Sequence, residues 1–278
     1  MSKSKRKRVK SNSSSSVDIA LLTCGLVDMG VFEKCVSAIS REVKPTGARL
    51  YVIFNGVEKD TRGALENIVS AVENVSIKHS PERLGFSVAA NRVIRQGNSP
   101  FVLFITDDVI LHEGVVEKLL HRMKDPQIGM CGLKLMFPKD STDPARPADR
   151  VQHVGHGIDI RGEIVHPLMG WKPENPKCNV SREVQSVTGG VFMVRRDAFL
   201  KAGGFQEIYG LGYYEDVDLC FSIRQLGYKV FIDTSATADH VTNASYVKSE
   251  KKPSLETNKM IFRQRWGGLM QSDSWSFW

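Results

Sequence analysis

Four short β-rich runs, VDIALLTC from Val17, RLYVIFNG from Arg49, VSIKHS from Val75 and FVLFITDD from Phe101, alternate with amphipathic stretches over residues 29–43, 60–73, 86–96 and 113–123. Short apolar runs of this kind suit strands covered on both faces, and the stretches between them suit the covering helices. The pattern predicts an α/β fold of nucleotide-binding type, with a Rossmann-like, mostly parallel sheet. In such open sheets ligands lie outside the carboxyl ends of the strands, so Thr23, Asn55, Arg83 and the pair Asp107–Asp108 are expected to share one crevice.

Beyond about Asp125 the texture changes to mixed strands and long loops, with Pro138, Pro144, Pro147, Pro167, Pro173 and Pro176 punctuating residues 136–178. GHGIDIRGEIVHP reads as a hairpin turning at Arg161–Gly162. VTGGVFMVRRDAFLKAGGF reads as a strand, a helix and a Gly-Gly stop, GYYEDVDLCFSIRQLG as a helix ending at Gly227, and YKVFIDTSATADH as a final strand. No internal repeat is found. The division expected is a tail over 1–16, one catalytic domain over 17–268 with halves 17–125 and 126–268, and a C-terminal tail over 269–278.

Composition narrows this picture without redirecting it. With 41% hydrophobic and 25% charged residues, the chain is neither collagen-like, coiled coil nor wholly disordered. Six of its 38 Lys and Arg residues fall in residues 1–16, which hold no acid, so the remainder carries 32 basic against 31 acidic residues and is almost neutral. The Ser-rich basic arm cannot bury enough apolar surface to offset its ordering entropy and is expected to be disordered. Two readings of residues 3–10 stand: an arm that tracks an anionic partner such as nucleic acid or a lipid surface, or a solubilising tail. No apolar run approaches the ~20 residues that cross a bilayer, and no apolar segment follows the N-terminal charges, so a cytoplasmic protein without a transmembrane segment is expected. Cys24, Cys35, Cys131, Cys178 and Cys220 are odd in number and contain no C-x-x-C, which suits reduced core fillers better than disulfides or a zinc site.

Candidate chemistry begins at ITDDV. Two adjacent carboxylates where a buried strand emerges repel each other unless a cation or basic group sits between them, so Asp107 and Asp108 are either a divalent-metal site or the cap of a turn. GYYEDVDLCF poses a similar choice. Glu215 and Asp216 either answer the positive end of a helix dipole or place a base in a cleft walled by Tyr213 and Tyr214. ITDDV, followed about a hundred residues later by TGGVFMVRRDAFLKAGGFQEIYGLGYYEDVDLCFSIRQLGYKVF, resembles the family-2 glycosyltransferases, which have the GT-A fold. The likeness covers roughly residues 17–268 and includes GFSVAANRVI, the late His240 with Ser245 nearby, and NKMIFRQRWGG.

The resemblance implies that Asp108, with Asp107 beside it, helps bind a divalent Mn2+ or Mg2+ that grips the diphosphate of a nucleotide-sugar donor. Thr106 stands where many members have the first carboxylate. His240 either adds a metal ligand or is a loop histidine capping a strand. The resemblance makes Asp216 the first candidate for the catalytic base and Glu215 the second, with inversion at the anomeric carbon. Asp218, one turn on, is expected to cap the same helix. Thr23, Asn55, Arg83 and Asn91 are expected to contact the donor, although Phe54 replaces an aspartate common before Asn-Gly. Gly189 and Gly190 either let backbone approach the sugar or simply form a tight turn.

His153, His156 and His166 fall in the predicted hairpin, where successive residues change faces, so a second metal site is not expected. Trp171, Trp266, Trp275 and Trp278 are candidate sugar or base platforms, with packing the expected role of Trp266. The acceptor implied is a hydroxyl of a saccharide, lipid-linked saccharide or protein. Two alternatives remain: the same chemistry on hydroxylated bases of DNA, served by the basic arm and requiring a flipped base, or a non-catalytic nucleotide-sugar module, raised by Thr106 and Phe54.

Overall fold

The computed structural model describes residues 16–241 and 254–277. The basic arm at residues 3–10, Ser245 and Trp278 lie outside the described residues. The alternating half reads β1 (Val17–Thr23), α1 (Met29–Thr46), β2 (Arg49–Asn55), α2 (Lys59–Ser70), β3 (Val75–Ser80), α3 (Phe86–Ile94), β4 (Phe101–Thr106), β5 (Val109–Leu111) and α4 (Val115–Arg122). Helix α1 starts where Asp28 accepts hydrogen bonds from the amides of Gly30 and Val31, and it ends at Gly47 with φ 62°. Helix α2 stops at Ser70, before residue 73, because the chain turns into β3 through Asn74 at φ 58°. Helix α4 starts at Val115, after Gly114 at φ 74°; the buried Glu42 carboxylate of α1 accepts from the Gly114 and Val116 amides, both at 2.8 Å.

The mixed half continues with β6 (Ile128–Met136), β7 (Val151–His153), β8 (Gly157–Ile158), β9 (Ile164–Val165), β10 (Arg182–Val184), β11 (Val191–Arg195), α5 (Arg196–Lys201), α6 (Glu215–Gln225), β12 (Lys229–His240) and α7 (Leu255–Trp266). One sheet runs in the order β10-β12-β6-β11-β4-β1-β2-β3, with β5 pairing β12 and β7 pairing β6. β1, β2, β3 and β4 are mutually parallel neighbours, whereas β11 enters antiparallel between β4 and β6. This insertion joins the two halves of the chain in a single sheet.

Because side chains alternate across a strand, each central strand feeds two cores. Ile19, Leu21, Leu103 and Ile105 pack under α1, α2 and α4, while Ala20, Leu22, Val102 and Phe104 pack under α3 and α6. A smaller cluster of Ile158, Tyr209, Val217, Phe221, Phe262 and Trp266 fastens α7 to α6. Cys35, Cys131, Cys178 and Cys220 are buried and Cys24 is half-buried, all as free thiols. No helix among the described residues is long and apolar enough to cross a membrane.

Candidate active site

The carboxyl ends of β1, β2 and β4 open onto a cavity of about 540 Å3. Asn55, Arg83, Asp107, Asp108 and Gly190 line it on the sheet side, and Glu215, Asp216 and His240 line it from the mixed half. Two expected donor contacts do not reach it. Thr23 lies between the lining residues Leu22 and Cys24 and points away, where its hydroxyl donates to Asp107 Oδ2 at 2.6 Å. Asn91 is buried in α3 and spends both ends of its amide on the backbone of Phe205, each at 2.9 Å. Asn55 lines the cavity, but its amide is engaged by the backbone of Leu84, at 3.1 and 2.9 Å, and so shapes the wall.

Asp107 and Asp108 are buried where β4 ends. Burial and the charge of Asp108 push the Asp107 carboxyl up to about 7. Burial acts on Asp108 in the same direction, but His240 and the Thr106 hydroxyl outweigh it and hold that carboxyl below its usual range. Thr106 Oγ1 donates to Asp108 Oδ1 at 2.8 Å, so this hydroxyl braces the Asp108 carboxylate.

His240 is the last residue of β12, not a loop residue. Antiparallel pairing with β5 sets it opposite Val109, and its Nε2 lies 3.5 Å from Asp108 Oδ2. Gln152 Nε2 donates to the His240 carbonyl at 3.0 Å, which turns Gln152 Oε1 toward His240 Nδ1 at 2.7 Å. Nδ1 therefore carries a proton, and Nε2 is the nitrogen that meets the Asp108 carboxylate: protonated, it donates to that oxygen, and neutral, it offers a lone pair beside it. In the neutral form the nitrogen and the carboxylate oxygen, above a buried carboxylate pair, have the spacing to hold a divalent cation between them. Gln152 carries no sequence signal of its own; only the folded register reveals it.

Helix α6 delivers the second acidic pair. Gly212 has φ 141°, and Tyr213 and Tyr214 follow with φ of 73° and 72°. Consecutive left-handed residues other than glycine are costly and persist only where neighbours enforce them. Here Asn258 of α7 does so, its Nδ2 donating to the carbonyls of Tyr209, Gly212 and Tyr213 at 2.9, 2.7 and 3.1 Å. The turn aims Glu215 and Asp216 into the cavity. Asp216 Oδ2 accepts from the Gly189 amide at 2.7 Å and Oδ1 from the Val217 amide at 2.8 Å. Gly189 and Gly190 sit at close approaches that favour glycine: a Cβ on Gly189 would sit 3.0 Å from Asp216 Cβ, and one on Gly190 would sit 3.2 Å from His240 Cε1.

Burial and the neighbouring Asp216 push the Glu215 carboxyl well above its usual range, and its Oε2 has no hydrogen-bond partner among the described residues. Burial also raises Asp216, but the two amides oppose it. The first ionisation of the pair therefore falls on Asp216, with Glu215 retaining its proton. An acid raised in the fold loses stability as pH climbs past its unfolded value, so Glu215→Gln is expected to melt several degrees above wild type at pH 8, with the gap closing near pH 4. Equal melting temperatures at pH 8 would show that the buried carboxylate is stabilised there.

Asp218 does not cap α6. Fully buried, it accepts at Oδ2 from Tyr209 Oη, Arg265 Nε and Trp266 Nε1, at 2.8, 2.6 and 2.7 Å, and ties α7 down. Trp266 is thus a packing residue; neither it, Trp171 nor the exposed Trp275 lines the cavity. His153, His156 and His166, expected to be dispersed, instead lie together at its wall.

Comparison with known proteins bears on the fold and the family. The chain is 27% identical over 209 residues to the N-acetylglucosaminyl-diphospho-decaprenol L-rhamnosyltransferase of Mycobacterium tuberculosis, covering 66% of this chain and 65% of that protein. It spans only 26% and 12% of the length of two other curated relatives. Among solved structures it superposes on GalNAc-T7 with UDP, GalNAc and Mn2+, with a TM-score of 0.64 and 13% identity over 82% of this chain and 44% of that one. It also superposes on the mannosyltransferase PcManGT of Pyrobaculum calidifontis in complex with GDP-Man and Mn2+, with a TM-score of 0.58 and 13% identity over 92% of this chain and 70% of that one. The fold is therefore the GT-A fold. The family model for Glycosyl transferase family 2 matches residues 30–203, well over half of the sequence, and the chain belongs to that family.

Proposed function

We propose that the protein transfers a sugar from a nucleotide-diphosphate donor to a hydroxyl acceptor, with inversion at the anomeric carbon. The observation that carries this reading is the one cavity shared by the Asp107–Asp108–His240 cluster and the Glu215–Asp216 pair. Asp108 and His240 would hold the divalent ion, with Asp107 beside them. That ion, when bound, supplies positive charge to a departing diphosphate. Arg83 on the sheet wall and Arg146 opposite add fixed positive charge for the donor's phosphates. Asp216 takes the proton of the acceptor hydroxyl, and the Gly189 amide holds its carboxylate for that task. Glu215, protonated beside it, donates to a substrate oxygen and keeps a second negative charge away from the base. A single displacement assisted by one base gives inversion.

The relative named as a rhamnosyltransferase acts, by its name, on a lipid-linked sugar, which supports a saccharide or lipid-linked saccharide acceptor. Turnover of a panel of nucleotide sugars with Mn2+ or Mg2+ tests the proposal, and it fails if no donor is bound or consumed. The residue assignment has its own check. His240→Ala should raise the metal concentration for half-maximal activity by at least about 10-fold, because even loss of an outer-shell partner costs about 10–100-fold. Gln152→Ala should shift it the same way by less, and Asp108→Asn by more. Unchanged metal dependence in all three would place the ion elsewhere.

A further inference from the structure

His153, His156 and His166 form a cluster that the proposed transfer chemistry does not use. Their ring centroids are 4.7, 4.7 and 5.3 Å apart, and one nitrogen from each lies within 4.8 Å of the others. Strand register explains the meeting. Hairpin β8–β9 pairs Gly157 with Val165 and Ile158 with Ile164, so the residues just outside its base, His156 and His166, stand opposite each other. His153 ends β7 three residues earlier, where its pairing with Leu135 of β6 fixes it at the same spot. Dispersal by strand alternation does not apply, because only His156 and His166 flank the hairpin and they do so across the ladder.

The geometry points to a second metal site: His153, His156 and His166 together bind a Zn2+-type ion, distinct from the ion proposed at Asp108 and His240. His153 Nδ1 and His166 Nδ1 are 3.3 Å apart. Two nitrogens each about 2.0–2.1 Å from a tetrahedral zinc are separated by about 3.3–3.4 Å, so this pair already has the spacing of two ligands on one ion. His156 Nδ1 lies 3.0 Å from Ser186 Oγ, and the His156 amide donates to the Ser186 carbonyl at 2.9 Å. Ser186 can accept the Nδ1 proton, leaving Nε2 as the ligand, which is the outer-shell arrangement that orients metal-bound histidines.

The donor set also separates the two sites chemically. Three imidazoles without a carboxylate favour zinc and its neighbours, whereas the Asp-rich cluster suits Mn2+ or Mg2+. Three imidazoles in contact, two of them buried, also disfavour protonation, which keeps lone pairs available. Three protein ligands leave a fourth position for water or a substrate oxygen, and all three residues line the cavity. Loading has one local cost. His153 Nε2 accepts from the Thr188 amide at 3.3 Å, and a metal on Nδ1 places a proton on Nε2, so this contact must open. Thr188 adjoins Gly189, whose amide holds Asp216, so the ion would act on the proposed base through that turn.

Zn2+ binding to the full chain, followed by competition with a chromophoric chelator and by X-ray absorption of the loaded protein, tests the site independently of transfer activity. Wild type and Asp108→Asn should both bind a zinc ion with three imidazoles in its first shell. His166→Ala, which removes an exposed residue and should leave the melting curve unchanged, should weaken that binding at least about 10-fold. His156→Ala should do the same if it remains folded. An absorption spectrum without three imidazoles, or unchanged affinity in His166→Ala, would overturn the proposal and leave the cluster as a hydrogen-bonded chain of rings.

Discussion

Asp216→Asn should lower the single-turnover rate by roughly 10²–10⁴ while donor affinity stays near wild type. The carboxylate is held by the Gly189 and Val217 amides and not by the cluster expected to hold the diphosphate, so its loss should remove proton acceptance while leaving the donor contacts in place. Asparagine offers only one acceptor oxygen where two amides, of Gly189 and Val217, donate to the aspartate. Part of the loss will therefore be orientational. The pH profile separates the two effects. A base must be ionised, and burial raises both carboxyls of the pair, so wild-type rate should rise with pH through the first ionisation of the Glu215–Asp216 unit. Asp216→Asn should lose that acid limb as well as rate. Glu215→Gln should cost less rate. A larger loss for Glu215→Gln would transfer the role of base to Glu215, and near-normal rates for both would remove the catalytic reading of GYYEDVDL.

The sequence made the first half of this architecture legible because each strand there is a short apolar run and each helix a separate amphipathic one. Runs beginning at Val17, Arg49, Val75 and Phe101 became β1 to β4, and the crevice at their ends contains Asn55, Arg83, Asp107 and Asp108 as expected. Orientation at single positions was less accessible. Thr23 follows the apolar run that lines the cavity, yet alternation turns it toward Asp107, and Asn91 faces Phe205 because of the helical phase of α3. Neither direction is fixed by residue type.

Long-range partners left still less local trace. Gln152 orients His240 across 88 positions, and Asn258 holds the left-handed turn at Tyr213 from another helix. Nothing in VQH or TNKM marks either role. The three histidines mislead for the opposite reason. Alternation along one strand would disperse them, whereas the relation that brings two of them together is the ladder register that sets residues 156 and 166 opposite each other.

The same limit applies to Asp218, whose position one turn into α6 suggested a cap. Its carboxylate instead collects the phenol of Tyr209, the guanidinium of Arg265 and the indole of Trp266, while the side chain has no exposure at all. Asp218→Ala leaves the buried Tyr209 phenol and Trp266 indole without their acceptor and the partly exposed Arg265 without its counter-ion, at a total cost of about 3–5 kcal/mol, chiefly from the two buried donors. At roughly 2–4 °C per kcal/mol for a chain of this length, the melting temperature should fall by about 6–20 °C. Asp218→Asn retains hydrogen-bond acceptance and loses only the charge, so its fall should be smaller. The damage should also reach the cavity. Arg265 and Trp266 anchor α7, the same helix presents Asn258 to the turn before Glu215, and loosening that helix lets the strained Tyr213–Tyr214 backbone relax. Activity at temperatures below the transition should therefore drop in Asp218→Ala even while the sheet remains folded. If thermal melting of Asp218→Ala stays within about 2 °C of wild type, a shift worth no more than ~1 kcal/mol, the carboxylate is not what holds α7 in place, and Phe262 and Trp266 secure that helix by packing alone.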